Sequence, residues 1–107
     1  MHVRLTPAAD DVLARVTDAD DLGRLSVQLE PGVDRSAANA RLAGAVRLET
    51  ETQAWIDLAW LRRAAGCEVG ERAEQFAAMV EVARRHGWVD PATGEVAAHV
   101  ERAEAAA

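Results

Sequence analysis

The chain has 107 residues, a formal net charge of −6 and a pI near 5.0, which describes one small domain with a thin core and no general basic face for nucleic acid. All twelve basic residues are arginine, and lysine and tyrosine are absent, so Schiff-base chemistry, a lysine-anchored cofactor and a phenolic acid are excluded. The single cysteine, Cys67, excludes an internal disulfide and any Cys-x-x-Cys metal or redox motif.

Alanine, arginine, glutamate and leucine are strong helix formers, so composition favours helix. The expected fold class is mainly α: a single domain over residues 1–107, built on one long central helix at about 35–65. Short strand or hairpin additions are expected near 24–30 and 88–100. The opening Met-His-Val-Arg-Leu-Thr-Pro lacks a signal-peptide pattern. No apolar run approaches the roughly 20 residues that span a bilayer. A cytoplasmic protein without membrane contact is therefore expected. The lysine-free codon usage fits a GC-rich bacterial genome.

In chain order, residues 2–5 read as a short extended arm. Thr6-Pro7 reads as an N-cap followed by proline at the first helical position. Ala9, Val12, Leu13 and Val16 then make a helical stripe over about 7–16. Thr17 to Asp21 is an acidic turn, with Thr17 and Asp20 resembling a weak capping box. Arg24 to Glu30 alternates polar and apolar, the strand signature, and Pro31-Gly32 ends it, which favours strand, although Leu22, Leu25, Ser26 and Leu29 also satisfy helical spacing.

Asp34 or Ser36 caps the expected central helix, with Ala38, Leu42, Ala45 and Val46 on one stripe. Polar residues Glu49, Glu51, Thr52 and Gln53 interrupt that stripe, as a bend, an exposed middle or a polar pocket. Beyond them comes Trp55-Ile56-Asp57-Leu58-Ala59-Trp60-Leu61, with two of the three tryptophans and the only isoleucine. As a helix this run is apolar on every side, which demands cover on every side. Arg62 and Arg63 suit the helix C-terminus and Gly66 a left-handed cap. A further helix over about 71–86 carries Ala73, Phe76, Ala77, Val80 and Ala83 inward and ends in Arg84, Arg85, His86 and Gly87. Trp88 is expected to fold back on it in a Schellman arrangement. Asp90 to Gly94 is a turn, and Glu95 to Val100 returns as a strand or begins a terminal helix.

The chemistry-bearing residues are sparse. Asp57, the one polar group in the tryptophan run, is the weak candidate for a catalytic acid or base, against the plainer reading of a solvated or ion-paired carboxylate. His2, His86 and His99 are not at metal-ligand spacing, and Glu95 with His99 is one pair where zinc needs three or four ligands. No metal and no cofactor is expected. Cys67 reads as a small turn residue rather than a nucleophile. No phosphate-binding or nucleophile-elbow motif occurs.

Two functional classes follow. The first is a small acidic helical protein that self-associates as a homodimer through Trp55 to Leu61 and binds a peptide or protein in an inter-helix groove. Its expected binding residues are Trp55, Asp57, Trp60, Arg62, Arg63 and His86. The second is a cofactor-free tailoring enzyme acting on a peptide or other natural product by holding it in a reactive conformation, with Asp57 or a histidine as acid or base.

Overall fold

A computed structural model describes residues 1–9, 11–18 and 25–102. Along the chain come β1 His2–Ala8, β2 Asp11–Thr17, β3 Ser26–Leu29, α1 Arg35–Arg41, β4 Val46–Leu48, β5 Gln53–Asp57, α2 Leu58–Ala64, α3 Gly70–Arg85, β6 Val89–Asp90 and β7 Glu95–Arg102. The strands form one mixed sheet in the order β2-β1-β3-β7-β5-β4, with β6 also on β7. It curls into a half-barrel, and among the described residues strand at 38% exceeds helix at 32%. The mainly helical expectation is therefore wrong.

The central helix at 35–65 is the main correction. It is replaced by α1, the β4–β5 hairpin and α2. Gly44 stops α1 from continuing, because its φ of +87° is left-handed. Beyond it the pattern has a period of two: Val46 and Leu48 are buried with Arg47 exposed between them, and Ala54 and Ile56 are buried while Trp55 is not. The polar interruption is the hairpin turn itself. Thr50 Oγ1 accepts from Thr52 N at 3.2 Å and Gln53 N at 3.0 Å. The tryptophan run is apolar in all directions because it is two elements. Trp55 and Ile56 lie on opposite faces of a strand, and Leu58 onward is helix. The motive for covering it with a second copy disappears.

The expected helix at 7–16 is instead an antiparallel hairpin of β1 and β2, with Val3 opposite Val16 and Leu5 opposite Ala14. Val12, Ala14 and Val16 alternate with exposed Asp11, Leu13 and Arg15, and branched valines fit a pleated surface better than a helix. Pro7 is tolerated because β3 pairs β1 only over His2 to Leu5, so its missing N–H breaks no ladder there. The expected strand near 24–30 is found as β3, and the hairpin reading of 88–100 as β6 and β7; a terminal helix from residue 100 is excluded as far as Arg102. Asp20 and Arg24 lie outside the described residues. The helix at 71–86 is found as α3, and its end has the Schellman bonds: Trp88 N to Ala83 O at 2.9 Å and Gly87 N to Arg84 O at 3.1 Å.

Register explains the core. Val16, Val3, Val27 and Val100 form one inward row across four strands, and Val46, Ile56 and Val96 another. Val3, Leu5, Val27, Ile56 and Leu61 have no exposed surface, and each such side chain contributes about 1.5–3 kcal/mol. Helix α1 touches both edge strands, β2 and β4, and α2 touches β5 and β2. The helices thus span the open side of the curled sheet.

Candidate functional site

Strand β7 organises the site. Its residues Glu95 and Val96 pair with both β5 and β6, and His99 pairs with both β5 and β3. So β3 and β6 share the edge of β7 that β5 leaves free. Their pairings with β7 stop short of one another, that of β6 at the Ala97 N to Trp88 O bond of 2.7 Å just before Val89 and that of β3 at Ser26 opposite His99. A cleft opens at this fork, with Leu25 on the β3 side, Trp88 on the β6 side and Met79, Val80, Val82 and Ala83 of α3 completing it.

The cleft encloses about 530 Å³, inside the ~300–1,000 Å³ range of small-molecule sites. Its lining is mostly apolar, with Thr52, Gln53, His99 and the indole N–H of Trp88 as the side-chain groups that can hydrogen-bond. Val82 and Trp88 line it although they are 50% and 52% exposed. Large apolar groups left in water beside a concavity mark a place where something docks. The Trp88 indole is held by stacking on His86, with ring centroids 4.5 Å apart and planes 20° apart. That contact presets one wall of the cleft. Trp88 is placed there by the Schellman turn, since Gly87 at φ +77° reverses the chain directly after α3.

The residues expected to bind do not converge. Trp55 sits half-buried on the outer face of the sheet, where its Nε1 donates to Glu49 Oε2 at 2.8 Å and the Arg47 guanidinium lies 5.8 Å over its ring. Arg47 also bonds Glu95 at 3.0 Å, and that hydrogen bond raises the guanidinium above its ordinary pKa. Asp57 is the N-cap of α2, accepting from Trp60 N at 2.9 Å. Trp60 packs partly buried against the core, and Arg62 and Arg63 are exposed in the last turn of α2. Only His86 reaches the cleft, through Trp88. Cys67 is buried, with Sγ 3.7 Å from Ala65 O. Glu95 and His99 share a strand face rather than a helix face, which sets them roughly 13 Å apart along the chain. Among the described residues no group of three or more His, Cys, Asp or Glu side chains could hold a metal.

The expectations missed Leu25, Met79, Val82, Trp88 and His99 as a group. Trp88 carried a local signal, the residue after a helix-ending glycine, but that signal speaks of a cap and not of a wall. Among the described residues, no helix is long and apolar enough to cross a membrane. Comparison with protein-family models, curated proteins and solved structures returned no match.

Proposed function

We propose that this protein binds a small, largely apolar molecule with one hydrogen-bonding end in the cleft between α3 and the β3–β6 fork. The observation that carries the reading is the pairing of Val82 and Trp88, exposed to water, with a concavity of suitable volume. The apolar part would lie against Met79, Val80 and Trp88, and the polar end near Thr52, Gln53 or His99. Removing apolar surface from water supplies affinity at roughly 25 cal/mol per Å² before the cost of immobilising the ligand.

The test is a fluorescence titration with octanoate, decanoate and their alcohols. Saturable change in tryptophan emission is expected, and it should vanish in Trp88→Phe. Val82→Glu places a charge at the mouth on an exposed position, so binding should weaken at least about tenfold, equivalent to ~1.4 kcal/mol, with the melting temperature nearly unchanged. Absence of saturable binding by any of the four probes, with response only to an apolar peptide, would favour a peptide ligand and overturn the small-molecule reading.

A further inference from the structure

Ser26 is the one buried polar side chain among the described residues, 8% exposed. It lies opposite His2 on β1 and opposite His99 on β7, so all three share the outer face of the sheet. His2 Nδ1 is 2.7 Å from Ser26 Oγ. The other ring nitrogen, Nε2, is 3.4 Å from Asp18 Oδ2. Among the described residues Asp18 is the non-glycine residue with a positive φ, +50°, a conformation that Asp adopts more readily than most residues. A hydroxyl, an imidazole and a carboxylate in sequence are the parts of an activated nucleophile. Their position is equally specific: Leu25, the chain neighbour of Ser26, and His99, its cross-strand partner, both line the fork cleft.

We propose that Ser26, His2 and Asp18 form a nucleophile relay at the lip of this cleft and hydrolyse esters of apolar carboxylic acids. The choice of acyl group rests on the ligand reading above. With Nε2 carrying its proton on the side of Asp18 Oδ2, 3.4 Å away, the Nδ1 lone pair faces the Ser26 hydroxyl. Ser26 Oγ attacks the ester carbonyl carbon as its proton passes to Nδ1, and the carbonyl π pair moves onto oxygen. His99 is the neighbouring donor for that oxyanion. The intermediate collapses to an acyl-Ser26 ester, and the departing alcohol takes the proton from His2. Water then attacks the acyl-Ser26 carbonyl, giving its proton to His2 Nδ1. The acid leaves as Ser26 Oγ recovers that proton. The balance is ester plus water to acid plus alcohol, with no oxidant or metal. Ser26 and His2 are the catalytic residues and Asp18 a positioning residue.

The full-length protein is mixed with p-nitrophenyl octanoate in a stopped-flow instrument, and the quenched protein is mapped by mass spectrometry. Release of p-nitrophenolate with an octanoyl adduct on Ser26 is expected, and Ser26→Ala should lose both. His2→Gln keeps a hydrogen-bonding side chain beside Ser26 and should slow acylation by about 10²-fold or more; it carries the test alone if Ser26→Ala does not fold. For Asp18→Asn, nitrogen NMR should show His2 losing its fixed Nε2–H tautomer, a change that loss of packing alone would not give. No adduct on Ser26, or wild-type acylation in His2→Gln, overturns the relay. Octanoate binding by Trp88 emission separates the two ideas: binding without acylation leaves the ligand site and removes the hydrolase. Equal acylation by acetate and octanoate esters keeps the relay and overturns the assignment of the acyl group to the cleft.

Discussion

Asn39 of α1 holds Leu48 of β4 by both ends of its amide: Nδ2 donates to Leu48 O at 3.0 Å, and Oδ1 accepts from Leu48 N at 2.7 Å. The other edge of β4 is paired with β5, so one side chain takes the place of a further strand. An open strand edge is a template for association with another chain. Asn39 closes this one from within, as part of the same helix that touches β2. Asn39→Ala leaves both Leu48 backbone groups without their partner. A loss of about 1–3 kcal/mol is expected, read by urea unfolding, with a greater tendency to aggregate. A variant as stable as the parent would show that water replaces the amide at no cost.

Asp57 provides a discrimination between capping and catalysis. Asn and Asp are comparable N-caps, whereas Ala is much poorer. Asp57→Asn should leave stability within a few tenths of a kcal/mol, and Asp57→Ala should cost ~1 kcal/mol. If ligand binding or ester turnover falls in Asp57→Asn while its melting curve is unchanged, the carboxylate has a role beyond its bond to Trp60 N.

Gly44 gives a prediction that sterics alone would miss. A Cβ added there meets nothing within 4 Å, yet φ is +87°. Gly44→Ala should therefore destabilise by about 1–2 kcal/mol from backbone strain, despite the better helix propensity of alanine. Thermal unfolding checks the sign; a stabilised variant would mean that the turn relaxes to another conformation.

Ile56 lies at the centre of an inward row and has no exposed surface. Ile56→Ala should cost about 2–5 kcal/mol, while Trp55→Phe, on the other face of the same strand, loses one exposed hydrogen bond and should cost about 1 kcal/mol or less. Equal costs in denaturant unfolding would contradict the strand and restore a helix with both residues packed.

What the sequence made legible follows from range. The third helix could be read because its boundaries are local: Glu71 in the first turn, arginines in the last and Gly87 after them. Alternation favoured β3 over a helix, and Asp90 to Gly94 marked a turn while leaving residues 95–100 open between a returning strand and a terminal helix. The error at 35–65 came from residues that satisfy two periods at once. Val46 to Leu48 is too short to display alternation against a background of strong helix formers, and the interruption at Glu49 to Gln53 has the same composition whether it is an exposed helical turn or a hairpin bend. The site was illegible for a different reason. Leu25, Thr52, Val82, Trp88 and His99 meet only because β7 recruits distant strands to its two edges, and no window along the chain contains that pairing. The same holds for Ser26 and His2, which are 24 positions apart and become neighbours through a parallel register.

That strand β7 sits between β3 and β5 but follows every other described strand along the sequence has a kinetic consequence. During synthesis the β1–β2 and β4–β5 hairpins emerge early and can each close by themselves, but the seam between them stays unfilled until residues 95–102 arrive. Distant pairing of this kind makes folding slow compared with a helical bundle of equal size. For that interval the nascent chain carries two unzipped halves with sticky rims, so its yield in a cell should depend on how promptly the final strand is delivered and on whether a chaperone shields the halves until then.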